Sequence, residues 1–419
     1  MPAQKDIQTI RALAAQYSEA AGSDRNLYNR RLHIASNDLH MERPVVMINE
    51  LPWDQLNIDG RLTCVCEDER LRGLELDWRK KLLQWELFGG DMVLRPFMAV
   101  GKSYGNTGIG LTSHDTALKQ QDPTAAISAH SYEDLLENEE DVEKMHLPLL
   151  TYDEEHKART QERYNFWGEI LGDILPVRIV GNAAVFNNNW DDIFRLRSGM
   201  PLLMDLLDRP EHSHAVIKRK TECKVAEFEQ LEALGLLDDC MYGETLHCTP
   251  ILTEQMPKPA PGEPYKLCHV WGRGTAQIFG TVSGEMHDEF DIDYMIQSVG
   301  RCGMVYYGCC EPLDKKIDIV ARIPNLRKIG VTPWADVDNA CAQIGGKYVV
   351  SNKPNPAAVA VPQLVEEELR KEIGRTLAAA KRNGVKGLDI TLKDISTLHG
   401  NPQNIIRWHD IVMELVRSW

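Results

Sequence analysis

The triplet Cys309-Cys310-Glu311, closing the run MVYYGCCEP, is the densest group of reactive side chains in the sequence. Along an extended strand the side chains alternate faces, so Cys309 and Glu311 share one face and Cys310 takes the other. A thiolate and a carboxylate at this spacing can supply two ligands to zinc, with a third from another loop and one position left open for substrate. His399, in the loop STLHGNP, is the first candidate for the third ligand, and His269 and His287 are second choices. The alternative is two small buried thiols beside a carboxylate that caps the next helix. Cys64-Val65-Cys66 has no second cysteine pair at zinc-ribbon spacing. His212 and His214 fall on different faces of a helix, so both groups are read as structural or surface features.

These residues need elements to hold them. From Tyr265 onward the chain alternates short apolar strands (KLCHVWG, MVYYGCCEP, LRKIGVTPW, KYVVSNKPNP, GLDITLKDI) with helical stretches. That alternation implies a parallel sheet with right-handed crossovers. RPVVMINELPW, MVLRPFMAVG and LPVRIVGNAA read as three earlier strands, which makes eight. The expected fold is therefore α/β, an eight-stranded β/α (TIM) barrel with an N-terminal helical extension and an insertion. Residues 1–42 form the extension and 43–419 the barrel domain, with the acidic insertion near 101–150 expected to be solvated. Residues 240–264, rich in proline, read as a surface loop. No GxGxxG or GxxxxGK[ST] follows a strand, which removes the main support for an open nucleotide-binding sheet.

Barrel active sites lie at the C-terminal ends of the strands. Those ends carry Asn49, Glu50 and Trp53; Asn187; Trp271 and Arg273; Tyr307 to Glu311; Trp334; Asn352 and Lys353; and Lys393 with Asp394. Such a set fits a pocket for a planar organic molecule. Glu50, Trp53, Asn187, Trp271, Trp334 and Asn352 are the candidate substrate contacts. Glu311, Tyr307 and Lys393 are the candidate catalytic groups, and Cys309, Cys310, Glu311 and His399 the candidate metal ligands.

The chain has 419 residues, 43% hydrophobic and 26% charged, with 47 basic and 62 acidic residues giving a net charge of −15. That balance argues against a nucleic-acid or anionic-membrane binder. The start lacks a signal-peptide pattern and no apolar run is long enough to span a bilayer. A cytoplasmic location is expected, with the ten cysteines as free thiols, ligands or catalytic groups.

The segment 304–356, with SGEMHDEFDIDYMIQSVGRCG before it, GMPLLMDLLDRPE earlier and LKDISTLHGNPQNIIRW at the end, resembles the uroporphyrinogen decarboxylase-like superfamily. The nearest branch is that of the zinc- and corrinoid-dependent methyltransferases. The resemblance covers roughly 155 to 419 and RPVVMINELPW more loosely. In that branch a His-x-Cys-Gly motif on the strand matching 304–312 supplies two zinc ligands, and a later cysteine a third. Here Tyr-Gly-Cys-Cys-Glu stands at the motif and no cysteine follows Cys341, so His399 or Asp394 would replace the third ligand. An arginine-rich RQAGRY-like segment, typical of the porphyrin branch, is absent; NELPWDQL stands near the first strand.

The resemblance implies a substrate-specific methyltransferase. It would move a methyl group from a small, methoxylated organic donor to the cobalt of a corrinoid, with zinc as Lewis acid. The chain lacks a DxHxxG motif, so the corrinoid would come on a partner protein. A decarboxylase or lyase acting on a small organic acid is the enzymatic alternative, and a non-catalytic corrinoid- or ligand-binding relative the other. The amphipathic N-terminal helix is compatible with a homodimer and equally with packing on its own barrel.

Overall fold

A computed structural model describes residues 2–117, 130–243 and 245–419. Helices α1 (Gln4–Gly22) and α2 (Asp24–Asn37) precede strand β1 (Val45–Ile48), and α3 (Glu69–Leu87) follows it. Then come β2 (Met98–Gly101), α4 (Glu154–Leu171), β3 (Val177–Val180) and β4 (Ala184–Asn187). Three helices follow, α5 (Asn189–Arg197), α6 (Gly199–Asp208) and α7 (Pro210–Ala233). The last half holds β5 (Trp271–Gly274), β6 (Met304–Tyr307), β7 (Leu326–Val331), α8 (Val337–Ile344), β8 (Val349–Asn352), α9 (Glu366–Arg382), β9 (Leu388–Leu392) and α10 (Gln403–Arg417).

Seven strands form one parallel sheet in the order β1-β9-β8-β7-β6-β5-β4. Most are uniformly buried, as expected of strands covered on both faces. Helix ends are fixed locally: Asp68 caps α3 by accepting from the amides of Arg70 and Leu71, and Asp336 caps α8 in the same way. α10 turns Ile405, Trp408, Ile411, Val412 and Val416 toward the sheet.

The expected closed eight-stranded ring does not form among the described residues. β2 pairs in parallel with β3 in a separate two-stranded sheet, and the chain breaks at Gly181–Ala183 before β4 joins the main sheet. LPVRIVGNAA is thus two short strands, not one. A Cβ at Gly181 would stand 2.5 Å from the Leu236 carbonyl oxygen, so the chain after α7 presses against the break. The architecture is barrel-like, with a seam between β1 and β2. A cavity of about 580 Å³ fills this seam, lined by Met47 of β1 and Asn49 just after it, Trp53, Trp78 and Lys80 near α3, and Arg95 and Met98 on the β2 side.

Residues 245–253 correct a second expectation. Instead of a surface loop they run along the inner face of the sheet. Leu246, Thr249, Ile251 and Leu252 are buried, and the Trp271 indole donates to the Ile251 carbonyl at 3.0 Å. The described part of the 101–150 insertion contains two antiparallel pairs, 105–106 with 150–151 and 115–117 with 130–132, and a 3-10 helix, Glu139–Lys144. Its acidic run is not wholly solvated: Leu136 within it, and Met145 just after it, are buried with Trp190, Ile193 and Val216 of α5 and α7. Residues 118–129 of the insertion lie outside the described residues. No helix among the described residues is long and apolar enough to cross a membrane.

One ion pair locks the start of β1. Asp91 accepts from the Arg43 guanidinium at 2.6 and 2.9 Å and from the Val46 amide at 2.8 Å, while its own amide donates to the Val46 carbonyl at 2.9 Å. Asp91 is 1% exposed. Removing one partner of such a buried pair costs about 3–5 kcal/mol. Asp91→Ala is therefore expected to lower the urea-unfolding free energy by about that amount, and a loss below about 1 kcal/mol would contradict this role.

Candidate active site

Because the strands are parallel, their C-terminal ends gather at one end of the sheet. β1 ends in Asn49 and Glu50, β6 in Gly308 to Glu311, β8 in Asn352 and Lys353, and β9 in Lys393 and Asp394. His247 and Cys248, on the segment along the inner face, complete the group. Four of these residues hold a positive φ although none is glycine: Glu50 (50°), His247 (45°), Cys248 (70°) and Asp394 (57°). Each such residue costs on the order of 1–3 kcal/mol and persists only where surrounding contacts over-determine it. Gly308, at φ 101°, meets this demand without a side chain: a Cβ there would stand 3.2 Å from the Gly330 nitrogen and 2.6 Å from Leu313 Cδ1. The close approach of β6 to β7 thus sets where the two cysteines begin.

The rim is held by charge. The Lys393 ammonium stands 2.5 Å from Asp394 Oδ2 and 3.4 Å from Glu50 Oε2. Glu50 also receives the Asp394 amide at 3.1 Å and the Cys248 thiol at 3.4 Å. Cys310 Sγ lies 3.7 Å from Asp394 Oδ2 and 3.5 Å from Cys309 Sγ. Burial works against the Lys393 charge, but Asp394, the two thiols and Glu50 outweigh it and hold its pKa above the ordinary lysine value. The hydrogen bond from Cys309 draws the Cys310 thiol below its usual value, whereas that bond and burial push Cys309 up. Burial, reinforced by Glu50, pushes Cys248 up to about 12. Cys310 is therefore the thiol of the three most ready to ionise.

Below the rim, the inner face carries a buried polar layer. Lys328 Nζ lies 3.0 Å from Asp389 Oδ2 and 3.2 Å from Thr249 Oγ1. Asp389 Oδ1 accepts from Ser351 at 2.6 Å and Thr391 at 3.1 Å. Ser351 in turn lies 2.8 Å from both the Lys353 ammonium and the Tyr306 hydroxyl. Burial disfavours the Asp389 charge, but Lys328 and Lys353 overcome this and hold its pKa below the carboxylate norm.

The residues expected from sequence divide into two groups. Glu50, Lys393, Cys309 and Cys310 meet at the rim. Glu311 does not join them: its carboxylate accepts from the Cys309 amide at 2.8 Å, the Thr275 hydroxyl at 3.0 Å and the Ala276 amide at 3.3 Å. It is 1% exposed and braces two loops. His399 is exposed and its amide is held by Thr397, with no contact to either thiol. Among the described residues no three His, Cys, Asp or Glu side chains converge closely enough to hold a metal ion. Zinc does not fit Cys309, Cys310, Glu311 and His399 as they are arranged.

Tyr307 faces away from the inner layer, its hydroxyl donating to Asp291 at 2.6 Å and lying 2.6 Å from His287 Nε2. Trp271 is fully buried on the inner face. Asn187 bonds Ser298 at 2.6 Å and braces the start of α5. Trp53 lines the seam cavity with Lys80 Nζ 5.4 Å from its ring centre. Asn352 sits on the face opposite Ser351 and Lys353, and Trp334 is 71% exposed. Sequence reasoning missed His247, Cys248, Lys328 and Asp389. The last two left a signal: a lysine and an aspartate in the middle of short, mostly apolar strands must find partners when buried.

No family model matches the sequence, and no curated protein matches it. Among solved structures, a methyltransferase from Methanosarcina mazei aligns over 92% of this chain and 97% of its own, at 11% identity and a TM-score of 0.46. Assignment of the architecture rests on the strand order and pairing above, not on that likeness.

Asp191, at the start of α5, accepts from the Gln277 amide at 3.0 Å and its side chain at 3.1 Å. Burial, with Glu311 nearby, raises it from 3.8 to about 6. The folded protein thus holds this proton more tightly than the unfolded chain, a stabilisation present below about pH 4 and lost as pH rises through about 6. Asp191→Asn lacks this loss. Its melting temperature relative to the parent is expected to rise between pH 4 and pH 8; a flat or falling difference in differential scanning calorimetry would contradict the assignment.

Proposed function

We propose that the rim formed by Glu50, Cys248, Cys309, Cys310, Lys393 and Asp394 is the active site of an enzyme that removes a methyl group from a small organic donor. The acceptor is a corrinoid on a partner protein, which supplies the nucleophile when it is presented. The observation that carries this reading is the Lys393 ammonium, held charged at the strand ends between Glu50, Asp394 and the thiols. The resemblance of 304–356 to the corrinoid-dependent branch supports the choice of reaction. Since the Cys309, Cys310, Glu311 and His399 set does not fit zinc, electrophilic help is assigned to Lys393. As the carbon–oxygen bond of a methoxyl group breaks, its electron pair goes to the oxygen; the ammonium stabilises the developing charge by a hydrogen bond, and the released product takes its proton from water. Glu50 and Asp394 keep Lys393 in place, and the seam cavity beside Asn49 and Trp53 offers volume for the organic part.

A second reading, decarboxylation or lysis of a small organic acid, is favoured by the buried cations of the inner layer, which suit a carboxylate. One assay separates the two. With methoxylated aromatic donors and reduced cobalamin, the first reading predicts formation of methylcobalamin, followed by absorbance. Loss of one donor to a developing oxyanion typically costs about 100- to 1000-fold in kcat. Lys393→Met is expected to lower kcat by about that factor with KM little changed. Absence of methylation with free cobalamin and with a corrinoid protein alike, together with carbon dioxide release from carboxylated substrates, would replace the first reading by the second.

A further inference from the structure

Among the described residues the inner layer holds three cationic groups and one carboxylate, and burial lowers the pKa of both Lys328 and Lys353. Arg273 of β5, Lys328 of β7 and Lys353 just after β8 converge on one ring. The Arg273 guanidinium carbon lies 4.5 Å from the Tyr306 ring centre, and the two ammonium groups lie 5.6 and 5.7 Å away. The three residues are 3%, 2% and 4% exposed. Asp389 is the carboxylate among them, and Lys328 holds it at 3.0 Å, leaving Lys353 at 3.9 Å. Among the described residues Arg273 has no carboxylate partner: its guanidinium donates to the Gly274 carbonyl and otherwise rests on the Tyr306 ring.

His247 stands on the same ring, 5.7 Å between centres. Its Nε2 is buried with no hydrogen-bond partner. Burial, then the nearby Arg273, Lys353 and Lys393, push its pKa down, so the imidazole stays neutral and has one N–H to give. Cores of ordinary β/α barrels are filled by branched apolar side chains. A buried arginine without a counter-charge and a buried nitrogen without a partner, both beside Tyr306, describe a layer with capacity for an anion.

We propose that Arg273, Lys353 and His247 form an anchor for a carboxylate group, so that the substrate of the rim above is a small organic acid. The planar fork of Arg273 suits a carboxylate bidentately, Lys353 adds charge and His247 Nε2–H a third donor. The proposal takes its setting from the active-site reading above and adds the substrate class to it. Lys393 acts electrostatically on both His247 and Lys353, and Arg273 on Cys309, so the anchor lies within charge range of the rim.

The test is thermal unfolding of the full chain with benzoate, benzamide, inorganic phosphate and sodium chloride at matched ionic strength. Benzoate is expected to raise the melting temperature saturably, while benzamide and chloride do not. Arg273→Met is expected to weaken the apparent benzoate affinity about tenfold or more without lowering the melting temperature of the free protein, because it removes an unpaired buried cation. Arg273→Lys should retain part of the response. His247→Phe should lose part of it, and it reads the same site should Arg273→Met fail to fold. Equal responses to benzoate and benzamide, or an unchanged response in both Arg273→Met and His247→Phe, would overturn the anchor. Phosphate acting at lower concentration than benzoate would overturn the carboxylate class. Methyl transfer from carboxylated donors with kcat/KM unaffected by Arg273→Met would remove the anchor and leave the rim chemistry standing. Benzoate binding without methyl transfer from any donor would do the reverse.

Discussion

Asp389 is the carboxylate that lets the inner face of this sheet hold its cations at all. It stands on the last strand, pairs with Lys328, lies within reach of Lys353, and is steadied by hydroxyls from Ser351 and Thr391. Without it, two buried ammonium groups and a guanidinium would face each other across Tyr306, at a cost of several kcal/mol per ion. With it, the layer is tolerable yet still holds more cationic groups than carboxylates. Stability and function meet in that shortfall: a layer fully neutralised by protein carboxylates would be more stable and would have nothing to offer a ligand.

The rim follows a similar logic with backbone geometry instead of charge. Glu50, His247, Cys248 and Asp394 all hold a left-handed conformation that side chains disfavour. Their cross-contacts explain how it is sustained. Glu50 takes the Asp394 amide and the Cys248 thiol, and Lys393 bridges Glu50 and Asp394. Glu50, Cys248 and Asp394 therefore hold one another at the proposed site, which is where strain is expected to collect.

Much of this was legible in the sequence, for identifiable reasons. The later strands and helices declare themselves because each strand is a short apolar run bounded by turn residues, and α10 and α9 keep a clear helical period. Glu50, Lys393, Cys309 and Cys310 follow from one rule, that parallel strands deliver their C-terminal residues to one end. The rule failed where local geometry intervened. Glu311 lies at the right place in the chain, but its carboxylate is claimed by two backbone amides and a threonine. Tyr307 is turned outward by strand alternation. The break at Gly181 divides one predicted strand into two and opens the seam. His247 and Cys248 sit in a segment whose prolines read as surface loop, and only tertiary packing against Trp271 and Tyr306 reveals it as interior.

The central claim is that an anion-seeking interior borders a reactive thiol at the strand ends. Alkylation of Cys310 by iodoacetate and by iodoacetamide, followed by peptide mass mapping, tests it directly because the two reagents differ mainly in charge. The account predicts a rate ratio at Cys310 shifted toward the anionic reagent relative to free glutathione, with the shift abolished by benzoate. A ratio equal to that of glutathione, unmoved by benzoate, would contradict it.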